Sequence, residues 1–163
     1  MSNDLVLWKQ DERDAFVTLV MNRPDKMNAM NQVLDDALEA AILRATRDQE
    51  IRSVIITRAG SAFTAGFDLG GEDFEMDADR WRADIGQNMR RMKAIREAPV
   101  PIIAAVNGYA LAGGLELMMR CDMTIVAEDA LLGEHDVAFP RLLFVGAAGE
   151  GMCTLDDREI SCR

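Results

Sequence analysis

The chain has 163 residues, 49% of them apolar, enough to bury one sizeable core and too few to require a second domain. Its formal charge is −10, with basic residues interspersed among acidic ones, which argues against a phosphate-backbone footprint and a nucleic-acid partner. No run of eighteen apolar residues occurs, and no basic flank precedes an apolar core at the start; a soluble, cytoplasmic protein without a membrane partner is the expectation.

Extended and helical patterns alternate along the chain. "LVLWKQ" and "AFVTLVMN" are rich in β-branched and aromatic residues and flank the polar "DERD", which predicts a hairpin. After "RPDKMNAMN", Asn31 is placed to cap a helix with Leu34, Leu38, Ala41, Ile42 and Ala45 along one stripe. "SVIITR" reads as a buried strand, followed by the loop "AGSAFTAGFDLGG". A second helix is expected over about Asp79 to Glu97, stopped by "APVP". "IIAAVNG" reads as a further buried strand, "LELMMRC" as a helix and "MTIVAE" as a strand. Such alternation predicts an α/β layered domain with right-handed crossovers. Cys121, Cys153 and Cys162 form no CxxC pair, so reduced thiols are expected rather than a disulfide framework or a zinc site.

Two glycine-bearing loops share a chemistry. "FTAGFDL" and "NGYALAGGLE" each follow a buried strand, and each offers backbone N–H groups to an anionic oxygen. Tight turns are the alternative reading for either loop alone. If Gly113 and Gly114 open a helix, its first N–H groups and its dipole favour developing negative charge, and Glu116 sits one turn in.

"RPDKMNAMN", "SAFTAGFDL" and "PIIAAVNGYALAGGLELMMRCD" resemble the three hallmarks of the enoyl-CoA hydratase/isomerase, or crotonase, family, in the same order and at similar spacing, over roughly Leu5 to Asp136. The resemblance implies a crotonase-like spiral of repeated strand–strand–helix units, a fold shared with Clp-type serine proteases. It also implies an acyl-CoA thioester substrate, no metal or redox cofactor, coenzyme A being part of the substrate, and assembly as a homotrimer or dimer of trimers. By the same resemblance the backbone N–H groups of Phe67 and Gly113 form an oxyanion hole, Phe67 departing from the small residue often found there. Lys26, Ala29, Ala65, Gly66, Asp68, Leu69, Gly70 and Gly114 are the implied substrate-binding positions, with Arg23 close to Lys26 and the CoA phosphates. A solvated turn lysine is the other reading of Lys26.

Glu116 matches the family glutamate that activates water, a role that partial desolvation favours by raising a carboxyl pKa. Pairing with Arg120 one turn along is the alternative. The second carboxylate position falls on Asp136, one methylene shorter than the usual glutamate; a plain loop carboxylate is the other reading. His135, the only histidine, lacks a nucleophile in a G-x-S-x-G setting and lacks metal-ligand spacing, so neither a serine triad nor a metal role is supported. Residues 1–163 thus read as one crotonase-like domain, incomplete at its C-terminus, with 146–163 an atypical polar tail.

Overall fold

The computed structural model describes residues 4–10, 15–68, 86, 89–90 and 92–133, together with the strand backbones of 142–145, 152–156 and 159–162. Strands β1 (Val6–Lys9) and β2 (Phe16–Met21) form the expected hairpin, in antiparallel register from Val6 opposite Met21 to Lys9 opposite Thr18. β3 (Ser53–Arg58), β5 (Ile102–Val106) and β7 (Met123–Val126) then add in parallel, giving one sheet in the order β1-β2-β3-β5-β7. The short strands β4 (Ala62–Thr64), β6 (Tyr109–Leu111) and β8 (Leu132–Gly133) make a second, parallel sheet. Each repeat of the chain sends one strand to the first sheet and the next strand to the second, which is the strand–strand–helix spiral expected.

β4 and β6 lie inside segments that the sequence presents as loops. Their three residues each carry no period of their own; they are strands because they pair with each other, Ala62 with Tyr109 and Thr64 with Ala110. The polar tail likewise contains strands. β9 (Leu142–Val145), β10 (Met152–Asp156) and β11 (Glu159–Cys162) form an antiparallel meander, with Cys153 opposite Cys162. Thr154 and Ile160 are β-branched, a side-chain type that suits a strand.

Helix α1 (Gln32–Arg47) starts at Asn31, whose backbone is extended and whose side-chain oxygen accepts the N–H of Leu34 at 3.0 Å. Its Leu34, Leu38, Ile42 and Ala45 are buried in the same cluster as Val17, Leu19, Met21, Val54, Ile56, Ile102, Ala104 and Val106, alternate residues of β2, β3 and β5. Truncating such a Leu or Ile to Ala costs about 2–5 kcal/mol. Residues 86, 89, 90 and 92–96 are helical, with Met92 and Ile95 buried, in agreement with the second expected helix, whose other positions before residue 92 lie outside the described residues. The register places Thr18, Ile55, Ile103 and Met123 in one row on the opposite face of the sheet. All four residues of the edge strand β7 are exposed, and on that opposite face Met123 is 57% and Ile125 63% exposed. No helix among the described residues is long and apolar enough to cross a membrane.

Candidate active site

Between β2 and α1 the chain makes a 3-10 turn, Pro24–Lys26, and then two residues with positive φ, Met27 and Asn28. Asn28 is fully buried. Its side-chain oxygen accepts the N–H of Arg23 at 2.7 Å, and its amide nitrogen donates to the carbonyls of Ala59 at 2.9 Å and Ala62 at 2.7 Å. This one side chain therefore fastens the turn to the β3–β4 connection. Asparagine suits the position because it tolerates left-handed backbone and carries both donor and acceptor.

The fastened turn in turn holds the loop after β4. Met27 accepts from Ala65 N–H at 3.0 Å, Met30 N–H donates to Gly66 at 2.7 Å, and Asp68 N–H donates to Met30 at 2.8 Å. This is a parallel bridge between Met30 and Phe67. Because Met30 bonds the residues on either side of Phe67, the Phe67 N–H points away from Met30. Arg23 closes the arrangement with an ion pair to Asp68 at 2.7 Å, the side chains 20% and 18% exposed, and donates to the Ala29 carbonyl at 2.8 Å. Arg23 is thus spent on positioning the loop. Lys26 is exposed, whereas Ala29 and Gly66 are buried.

The other wall is the start of α2 (Gly113–Arg120). Ala112 precedes it with φ 46 and ψ −118, a strained conformation for a residue with a side chain. Gly66, at φ +93, admits no side chain: a Cβ there would lie 3.0 Å from both the Leu111 carbonyl and the Ala112 methyl, and 3.4 Å from Gly113 N. The loop 65–68 and the first residue of α2 are consequently in direct contact. Gly113 is the first helical residue, whose N–H has no intrahelical acceptor. Over its Cα lie the Phe67 ring edge and the Met30 methyl; a Cβ at Gly113 would meet Phe67 Cε2 at 2.8 Å and Met30 Cε at 2.7 Å. Gly114 packs the helix onto β4, where a Cβ would lie 2.6 Å from Thr64 Cγ2 and 2.7 Å from its carbonyl. Thr64, also buried, accepts the Gly66 N–H at 3.0 Å.

Two short segments, distant in sequence, therefore bring Phe67 and Gly113 together. The match to the family model "Enoyl-CoA hydratase/isomerase" runs over residues 11–146. The chain belongs to the enoyl-CoA hydratase/isomerase family. It is 36% identical over 137 residues to a probable enoyl-CoA hydratase of Mycobacterium tuberculosis, covering 84% of this chain and 51% of the relative. A human mitochondrial Delta(3,5)-Delta(2,4)-dienoyl-CoA isomerase is 34% identical over 127 residues, covering 72% of this chain and 39% of the relative. The crystal structure of an enoyl-CoA hydratase/isomerase from Xanthobacter autotrophicus Py2 superposes with a TM-score of 0.75 at 36% identity, over 80% of this chain and 48% of that one, so the fold is the crotonase fold. The chain spans about half the length of the curated relatives it matches.

One expectation needs correction. Glu116, read as a partly desolvated carboxylate, is an exposed residue. The buried residues of α2 are Gly113, Gly114, Leu115, Leu117 and Met118, and on a helix of 3.6 residues per turn they leave position 116 on the outward side. Asp136, His135, Leu69 and Gly70 lie outside the described residues. Sequence reasoning missed Asn28, Thr64 and the Arg23–Asp68 pair, whose roles are tertiary. The only local hint was Asn28 itself, a residue type suited to positive φ in a turn. Among the described residues no three His, Cys, Asp or Glu side chains cluster as a metal site.

Proposed function

We propose that this chain carries the site of an enoyl-CoA hydratase, adding water across the double bond of a 2-enoyl-CoA thioester. The observation that supports it is the contact between the 65–68 loop and the first residue of α2, which brings two backbone segments distant in sequence together. In this reading the N–H groups of Phe67 and Gly113 hold the thioester oxygen as it becomes enolate-like; a donor of this type is worth about 3 kcal/mol when removed. Glu116 takes a proton from water, the hydroxyl adds to C3, and the electron pair moves to the thioester oxygen. A proton then arrives at C2, a step we assign to Asp136. The site needs neither metal nor redox cofactor. Lys26 and the 65–68 loop flank the CoA, and the whole protein assembles as a homotrimer or a dimer of trimers.

A second reading is double-bond isomerisation, favoured by the similarity to the human dienoyl-CoA isomerase. It uses the same stabilised enolate, with the proton removed from carbon instead of water.

The test is product analysis after incubation with crotonyl-CoA and a 3-enoyl-CoA, for the unmodified chain and for Glu116→Gln. Formation of 3-hydroxyacyl-CoA that falls about 10²–10⁴-fold in the variant supports the hydratase reading. Double-bond migration without hydration supports the isomerase. An equal rate in Glu116→Gln removes Glu116 from the mechanism, and no turnover of either substrate refutes catalysis by this chain.

A further inference from the structure

We propose that Phe67 is a specificity-determining residue, whose ring selects acyl groups unbranched at C2. This inference rests on the acyl-CoA reading above and adds to it a discrimination among acyl groups. Phe67 contributes backbone and side chain to the same few ångströms. In the proposed site its N–H meets the thioester oxygen, and C2 lies two bonds from that oxygen. The ring is tethered to the same Cα, within a side-chain length of C2.

The ring is also held in place. Its Cε2 and Cζ edge rests over Gly113, where a Cβ would be 2.8 and 3.1 Å away, and the Met30 methyl lies beside it. The Phe67 backbone is fixed from beneath by the Met30 bridge and, one residue on, by the Arg23–Asp68 pair. Phe67 is nevertheless 42% exposed, so the residue keeps accessible surface to offer an acyl group. A flat, unbranched acyl segment lies against that surface as one planar group on another. A methyl on C2 needs volume beside the ring, and the space over Gly113 is already shared by the ring edge and the Met30 methyl. A single methyl group in a packed pocket changes selectivity by about 10- to 200-fold.

The experiment measures binding, not turnover, using two saturated thioesters that cannot be hydrated: butyryl-CoA and 2-methylbutyryl-CoA, with free CoA as reference. Isothermal titration of the unmodified chain should give at least a 10-fold preference for butyryl-CoA, shrinking to within about 2-fold in Phe67→Ala. Phe67→Leu should fall between, and it keeps the comparison available if the alanine variant does not fold. Each thioester affinity is read relative to that of free CoA in the same protein. A ratio near one in the unmodified chain, or a ratio unaltered by both substitutions, overturns the role of Phe67 and leaves the acyl-CoA reading standing. Failure of the unmodified chain to bind either thioester and CoA overturns both.

Discussion

Asn28→Ala should be among the most damaging single changes in this chain although it alters no apolar contact of note. The side chain is fully buried and makes three hydrogen bonds of 2.7, 2.9 and 2.7 Å, so its removal strands the Arg23 N–H and the carbonyls of Ala59 and Ala62. Three bonds at about 1 kcal/mol net each give about 3 kcal/mol, and alanine in left-handed backbone adds about 1 kcal/mol. The sum, about 4 kcal/mol, is a large fraction of the 5–15 kcal/mol typical of a domain. With a urea slope of about 2 kcal/mol/M, the unfolding midpoint should fall by about 2 M. Urea unfolding by far-UV circular dichroism measures it. Asn28→Gly, free of the backbone strain at φ 52, should recover about 1 kcal/mol of the loss. A midpoint shift below about 0.5 M in the alanine variant, equivalent to roughly 1 kcal/mol, would refute the idea that this amide holds the turn to the strands.

Two further outcomes are expected. Burial, and secondarily the Asp122 carboxylate, pushes the Cys121 thiol up from 9.0 to about 12. Because the folded value is the higher one, the associated stability is present below about pH 9 and is lost as pH rises toward about 12. Unfolding midpoints of the parent and Cys121→Ala should therefore converge across that window, and parallel curves would contradict the assignment. At β7, an exposed apolar edge with neither lysine nor proline should drive concentration-dependent association. Ile125→Lys should lower the sedimentation-average mass at high concentration, and an unchanged mass would place the association elsewhere.

The parts legible in the sequence were those whose signal is local. Asn31 with Leu34, Leu38 and Ile42 specifies a cap and a stripe within one window, and "SVIITR" and "IIAAV" are strands whatever their partners. β4 and β6 were not legible because each is a strand only by virtue of the other, more than forty residues away. Asn28 and the Arg23–Asp68 pair were hidden for the same reason. The orientation of Glu116 was within reach: Gly113 with Leu117 and Gly114 with Met118 are i, i+4 pairs on one face, and residue 116 lies off it. Its apolar neighbours suggested burial where the helical period did not. Phe67 and Gly113, picked out by motif, do meet; what the motif could not convey is that the ring of one lies over the other.

The strand order β1-β2-β3-β5-β7 carries a consequence for synthesis. No strand of this sheet inserts between two that precede it in the chain. Each newcomer docks on the edge left by its predecessor, so the sheet can extend in step with emergence from the ribosome. The Asn28 clasp needs only residues up to Ala62, and it can close before α2 has been made. The loop bearing Phe67 is therefore braced in advance, and the helix that begins at Gly113 arrives against a surface already built to receive it.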